Sequence, residues 1–294
     1  MRTTGRHYLA AVVQMVAGRD PEDNLGQSLA WLEEAAARGA SVVVFPETFT
    51  VMGRAPAYPL NAEPPLAPGT VPAGNLKPLA EAAARLKILV VAGVPELPGA
   101  EAGSPTDQRR VYNAAVVLGP EGTVLGVYRK VHLFDADLPG GFRVRESETF
   151  LPGDAPIVLD TPLGRLGLAI CYDLRFPEFM RALAAAGAEV IALPSAFTLV
   201  TGRDHWEPLL RARAIENQVY ILAAEQYGCP EVGPPCLGRS MIVDPWGTVL
   251  ASAPDRDCLI CAEVDLDRAA EVRSILPCWA HRRPEVYGKA PHPG

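Results

Sequence analysis

The chain has 294 residues, of which 49% are hydrophobic and 21% charged, the balance of an ordinary globular protein long enough for one large α/β domain or two smaller ones. Its formal net charge of −7 and the lack of any Lys/Arg cluster exclude the basic stripe that a nucleic-acid partner requires. No apolar run approaches the roughly 18 residues of a membrane span, so no membrane partner is expected either.

The elements follow in chain order. Tyr8–Met15 is too short and too polar for the apolar core of a signal peptide, and reads as a first strand; export is not indicated and a cytoplasmic chain is expected. Residues 24–38 place Leu25, Leu29, Leu32 and Ala36 on one helical face, with Glu33 and Glu34 off it. Val42–Phe45, Ile88–Val91, Leu166–Ile170, Val190–Leu193 and Val219–Leu222 are short apolar runs with the β-branched content of strands buried on both faces. Helical patterns over 75–87, 176–186 and 204–217 separate them, and Pro177 suits a first helical turn. Val111–Leu118 and Thr123–Tyr128 flank Gly-Pro-Glu-Gly, and Met241–Val243 and Thr248–Ala251 flank Asp-Pro-Trp-Gly; both are hairpin signals, so the sheets are mixed. Ala55–Pro72 and Pro95–Arg109 read as long surface loops, of the kind that often carries function. No linker divides the chain, and a strand–helix–strand order recurs in its two halves; one domain over 1–294 is expected.

Six cysteines without an export signal are expected to be free thiols. Cys258 and Cys261 form a C-x-x-C pair, but inside an apolar strand their side chains point to opposite faces, and no second ligand pair completes a zinc site. Cys171 differs from the others. It closes the run Leu166–Ile170 and precedes a helix, so its side chain is expected in the crevice where α/β proteins bind ligands, with a helix N-terminus lowering its pKa. A buried structural cysteine is the alternative. Glu47 and Lys130 also follow strand ends, although either alone could be an exposed surface residue. Together they supply a base, a cation and a soft nucleophile, which suffice for acyl transfer with the ammonium and the N–H after Cys171 on the oxyanion. His132 beside Lys130 raises a Cys–His hydrolase, but the Glu/Lys set makes His132 a supporting residue. The Gly164–Gly167 run precedes a strand instead of opening a helix, which removes a dinucleotide loop.

The segments FPETF (45–49), YRKVHLFD (128–135), RESETFLPGD (145–154) and CYDLRFPE (171–178) resemble, in order, the catalytic motifs of the nitrilase superfamily. The resemblance extends through 194–226, 240–251 and 276–288 and so covers almost the whole chain. It implies a four-layer α-β-β-α sandwich with mixed sheets. It further implies Glu47 as general base, Lys130 as oxyanion stabiliser, Cys171 as nucleophile and Glu146 as second carboxylate; Glu148 competes for the last role, and spacing from Lys130 favours Glu146. No cofactor and no metal are implied. The likeness is to the Nit branch, which includes deaminated glutathione amidase and ω-amidase and releases ammonia from small carboxylate-bearing amides; DHWEPLL (204–210) and HRRPEVYG (281–288) lean toward deaminated glutathione amidase. A departure is Gly238-Arg239-Ser240, where the family often has Gly-His-Ser.

Arg175 is the candidate for the substrate carboxylate, because its planar fork suits bidentate binding; an ion pair with Asp173 or Glu178 is the alternative. Tyr172 next to the nucleophile, with Phe197 and Thr201 after the PSAF segment, completes the expected substrate-binding set. A nitrile, an N-carbamoyl amino acid or a simple aliphatic amide are alternative substrates, and an inert binding protein on the same fold is the alternative of another class. The resemblance implies at least a dimer, and the C-terminal extension 275–294, through its apolar, aromatic segment Ile275–Tyr287, is the expected contact arm.

Overall fold

A computed structural model of the chain describes residues 6–53, 55–99, 110–229 and 233–287. The first half runs β1 (His7–Gln14), α1 (Pro21–Ala37), β2 (Val42–Val44), α2 (Ala57–Leu60), α3 (Lys77–Leu86), β3 (Leu89–Glu96), β4 (Val111–Leu118) and β5 (Val124–Arg129). A small hairpin of β6 (Asp135–Asp137) and β7 (Arg143–Arg145) and the short β8 (Phe150–Leu151) lead to the second half. There β9 (Ile157–Thr161), β10 (Gly164–Leu168), α4 (Pro177–Ala185), β11 (Val190–Ser195), α5 (Leu199–Asn217) and β12 (Tyr220–Glu225) are followed by β13 (Tyr227–Gly228), β14 (Cys236–Leu237), β15 (Met241–Val243), β16 (Val249–Ser252), β17 (Cys258–Asp265), α6 (Leu266–Ile275) and α7 (Pro284–Tyr287).

One sheet has the order β17-β1-β2-β3-β4-β5 with β8 beside β4, and the other β16-β15-β12-β11-β10-β9. Each has three parallel strands at its centre, β1, β2 and β3 in the first and β10, β11 and β12 in the second, flanked by antiparallel strands. Strand alternation then sorts the side chains into layers. Ala10, Val12, Val42, Val44, Leu89 and Val91 face the second sheet, while Ala11, Val13, Val43, Val90 and Ala92 meet Leu32 and Ala35 of α1 and Leu79 and Ala83 of α3. Helices α4 and α5 cover the other face of the second sheet with Met180, Leu183, Trp206 and Leu210. The result is the four-layer α-β-β-α sandwich, and the valine-rich runs are apolar throughout because both of their faces are covered.

Several elements differ from the periodicity. The buried face of α1 is Asn24, Ser28, Leu32 and Ala35, not the leucine stripe; Asn24 is buried because its side chain binds the Gly18 and Thr50 carbonyls and accepts the Gly18 N–H. Helix α5 begins at Leu199, five residues before the expected 204, and carries Pro208 inside it. The expected loop 55–72 contains α2 and a bridge between Glu63 and Glu96, and most of the expected loop 95–109 lies outside the described residues. Cys261 belongs with Leu259 to the helix-facing side of β17, whereas Ile260 and Ala262 face the other sheet, so alternation does separate the C-x-x-C pair. Among the described residues no group of three His, Cys, Asp or Glu side chains is arranged to hold a metal ion.

The ends of β2, β5, β10, β11 and β12 come together on one edge of the sandwich, and Gly93 on β3 sets how closely the chain after β2 can pass. A Cβ at Gly93 would lie 2.4 Å from the Pro46 carbonyl oxygen and 2.7 Å from the Glu47 Cα, and the Gly93 carbonyl accepts the Phe49 N–H at 3.0 Å. Gly93→Ala is therefore expected to cost about 2–3 kcal/mol in urea unfolding, as overpacking does, and to lower turnover by moving Glu47. Gly26→Ala, in the exposed middle of α1 with nothing within 4 Å, is expected to gain about 0.5–1 kcal/mol. Equal midpoints for the two variants would remove the steric role of Gly93.

Candidate active site

The Phe45-Pro46 bend carries Glu47 off β2 into the interior, followed by Thr48 at φ 48°, a left-handed conformation rare for a β-branched residue. Glu47 is buried and accepts three hydrogen bonds: Asn113 Nδ2 at 2.6 Å and Lys130 Nζ at 2.8 Å on Oε1, and the Ala196 N–H at 2.8 Å on Oε2. Lys130, immediately after β5, has no exposed surface, and its Nζ also donates to Glu146 Oε1 at 2.9 Å. Glu146 opens a short 3-10 turn and takes the Phe134 N–H on Oε2 at 2.8 Å, while Glu148 is exposed. The structure thus brings Glu146, and not Glu148, to Lys130. Burial works against the ammonium, but Glu146 and Glu47 outweigh it and hold Lys130 well above the usual amine range. Burial pushes Glu146 up from the usual carboxylate value, with Lys130 opposing.

Cys171 starts a 3-10 turn, Cys171–Arg175, at φ 43°. A non-glycine residue there stores on the order of 1–3 kcal/mol of strain, which the surroundings must hold in place. Asp173 does so. Its buried carboxylate accepts the Ile170 N–H at 2.8 Å and the Tyr128 hydroxyl at 2.7 Å on Oδ2, and Oδ1 lies 2.7 Å from His132 Nδ1. The His132 ring stacks on Phe176 at 3.7 Å, and the Tyr128 oxygen accepts the Val131 N–H at 3.1 Å. The clamp therefore ties the Cys171 turn to the segment that carries Lys130. His132 is turned to Asp173, which gives it the supporting place expected of it.

The expectation of an acidified thiol is not met. Helix α4 begins only at Pro177, after the 3-10 turn, so no helix N-terminus lies at Cys171. Burial, followed by Glu47, pushes the thiol well above its ordinary value, and Lys130 only partly offsets them.

Glu47, Glu146 and Cys171 line a cavity of about 500 Å³, with Met52, Tyr58, Phe134 and Phe150 as apolar wall and Arg143, Arg145 and Glu148 toward its rim. Tyr172, Arg175, Phe197 and Thr201 line instead a recess of about 10 Å³ that meets the cavity at Phe134, Cys171, Ala196 and Thr198. Arg175 is half-buried, lies over the Phe197 ring at 4.6 Å and sits 3.1 Å from His205 Nδ1. Among the described residues it pairs with no carboxylate: Asp173 is taken by the clamp, which removes the bracing ion pair. The roles of Asn113 and Tyr128, and that of Asp173 as a clamp on the Cys171 turn, escaped sequence reasoning, although an Asn in the apolar run Val-Tyr-Asn-Ala-Ala signals a buried partner.

The sandwich with this charged cluster at its edge is the architecture of the nitrilase superfamily, and the chain belongs to the carbon-nitrogen hydrolase family, whose model matches residues 9–274. It is 40% identical to the deaminated glutathione amidase of Homo sapiens over 289 residues, 97% of this chain and 85% of that one. It is 36% identical to the omega-amidase NIT2 of Homo sapiens over 280 residues, 95% of this chain and 96% of that one. The crystal structure of Saccharomyces cerevisiae Nit3, described as a member of branch 10 of the nitrilase superfamily, matches with a TM-score of 0.82 at 30% identity, covering 94% of this chain and 97% of that one.

Asp173→Ala leaves the Tyr128 hydroxyl, the Ile170 N–H and His132 without their acceptor. It is expected to cost about 3 kcal/mol or more of stability, and to slow alkylation of Cys171 in the fraction that remains folded. Asp173→Asn keeps two of the contacts and should lose less. Unfolding curves of both that overlay the parent would show the clamp to be idle.

Proposed function

We propose that this amidohydrolase uses Cys171 as nucleophile, Glu47 as general base, Lys130 as oxyanion stabiliser and Glu146 as the carboxylate that fixes Lys130. The observation that carries the reading is the unbroken chain Glu146–Lys130–Glu47 with Cys171 on the wall of the same cavity. A thiol held neutral by burial needs a base at the moment of attack, and Glu47 is the carboxylate that acts most strongly on it. The thiol proton passes to Glu47 as the Sγ–C bond forms, and the carbonyl oxygen takes negative charge beside Lys130 and the Tyr172 N–H. Collapse breaks the C–N bond, the Glu47 proton leaves with nitrogen as ammonia, and a thioester remains. Water gives a proton to Glu47 and attacks the thioester; that proton returns to Sγ as the acid departs.

The substrate we propose is a small carboxylate-bearing amide of the kind the two human relatives are named for, with a deaminated glutathione-like amide favoured over an ω-amide. A cavity of about 500 Å³ lies within the range that encloses a whole small ligand. Arg175, without a carboxylate partner and next to Cys171, is the proposed carboxylate contact, which requires the recess to widen. Arg143, at the cavity rim and 4.0 Å from Asp137, is the competing cation. The exposed apolar side chains Ile275, Leu276, Val286 and Tyr287 support residues 275–287 as a contact between copies of the chain, and free thiols at all six cysteines suit a cytoplasmic setting.

Cys171→Ala and Glu47→Gln are expected to lower ammonia release by a factor on the order of 10³ or more, and substrate is expected to protect Cys171, alone of the six cysteines, from iodoacetamide. Unchanged ammonia release from Cys171→Ala would overturn Cys171 as the nucleophile, and only a parent that releases no ammonia from any of the amides tested would leave an inert binding protein as the better reading. A screen of deaminated glutathione, α-ketoglutaramate, N-carbamoyl amino acids and nitriles separates the substrates. Arg175→Ala is expected to raise KM for carboxylate amides about tenfold or more and to spare neutral amides. If Arg143→Ala does so and Arg175→Ala does not, the carboxylate sits at the rim.

A further inference from the structure

Strand β12 ends in Glu225, a carboxyl with no exposed surface, on the edge of the sandwich that holds Glu47 and Cys171. Its Oε1 accepts the Phe197 N–H at 2.5 Å, and its Oε2 is buried without a hydrogen-bond partner. The preceding amide, Ala196 N–H, donates to Glu47 Oε2 at 2.8 Å. Consecutive amides of the turn after β11 therefore hold two carboxyls next to each other, one of them the proposed base.

An anion is poorly served at Glu225. One of its oxygens has no donor, and an under-solvated buried carboxylate is costly. Lys130 bonds Glu47 and the partly buried Glu146, whereas among the described residues no cation bonds Glu225. The proton that this imbalance demands falls on the carboxyl that has no cation. We infer that Glu225 is a positioning residue that works as a neutral acid, fixing the Ala196–Phe197 turn against Glu47, and that its ionisation switches the site off. The inference rests on the roles proposed above for Glu47 and Cys171.

Burial, and beyond it the nearness of Glu47, pushes the Glu225 carboxyl well above its ordinary range, against the pull of the Phe197 N–H. The titratable groups that feel it are Glu47 from the end of β2, Cys171 from the end of β10 and Cys236 from β14; the Ser240 hydroxyl is engaged with the Glu225 N–H. The sign follows from these neighbours. While Glu225 is neutral, Glu47 is, among the described residues, the only anion bonded to that turn. Once Glu225 ionises at alkaline pH, a second negative charge repels Glu47 and drives the Cys171 thiol still higher, so proton transfer from thiol to carboxylate is disfavoured.

The test is the pH dependence of kcat and kcat/KM for ammonia release in the parent, Glu225→Gln and Glu225→Ala, alongside Glu47→Gln and the pH dependence of Cys171 alkylation. Glu225→Ala is expected to lose about tenfold or more in kcat at neutral pH with a smaller change in KM, and Glu225→Gln to recover most of that loss, since an amide oxygen can accept the Phe197 N–H. The alkaline decline of the parent is expected to move up by about one pH unit or more in Glu225→Gln, which cannot ionise, and Cys171 alkylation to diverge from the parent over the same range. Coincident alkaline limbs, or a folded Glu225→Gln as impaired as Glu225→Ala, would overturn the inference. Full activity in Glu47→Gln would instead sink the assignment of the base, whereas an inactive Glu47→Gln with coincident limbs removes only the role of Glu225.

Discussion

An ammonium with no exposed surface persists only where carboxylates surround it, and Lys130 is held by Glu47 at 2.8 Å and Glu146 at 2.9 Å. Those partners come from different places: Glu47 from the end of β2, Glu146 from the turn after the β6–β7 hairpin. Glu47 must in turn be satisfied, and its other donors are Asn113 on β4 and Ala196 after β11. The charged cluster therefore joins the two sheets at one edge. Removing a single member would strand a buried charge, a loss of about 3–5 kcal/mol in comparable pairs. Gly93 belongs to the same constraint, because only a residue without a Cβ lets the Glu47 backbone pass close enough to β3.

Much of this was legible in the sequence, for a physical reason. Val42–Val44 and Val190–Leu193 are apolar at every position because both faces of a central parallel strand are covered, so the strands and their ends could be placed. Glu47, Lys130 and Cys171 stand just past those ends, where the functional side chains of α/β proteins gather. What could not be read is where polar side chains find partners far along the chain. Asn24 and Ser28 break the leucine stripe of α1: backbone groups at Gly18 and Thr50 bond the Asn24 side chain, and the Ser28 hydroxyl donates to the Asn24 carbonyl. The start of α5 was hidden because Leu-Val-Thr-Gly has no helical periodicity; the Leu199 N–H is instead satisfied by the Pro235 carbonyl, and Leu237 packs on Gly202. Arg175 was legible as an available cation, but not its seat in a recess beside the main cavity, which depends on how Phe197 and His205 meet it.

The thiol is the clearest case of a local signal overruled by its surroundings. A cysteine between a strand and a helix reads as acidified, because a helix N-terminus favours the thiolate. Here the 3-10 turn sets the helix six residues further on, and burial together with Glu47 dominates the field that Cys171 feels. The resting thiol is then the protonated form, which is the less reactive one toward oxidants and electrophiles. On the roles proposed above, the ammonium that compensates Glu47 is also the group that would meet the charge developing on a substrate oxygen. The left-handed strain at Cys171, held by Asp173 through Ile170, Tyr128 and His132, fixes the Cys171 turn on the wall of the cavity that Glu47 and Glu146 also line. A site built in this way keeps its thiol protonated by electrostatics and fixed by geometry, and each depends on a buried carboxylate that a short stretch of sequence does not reveal.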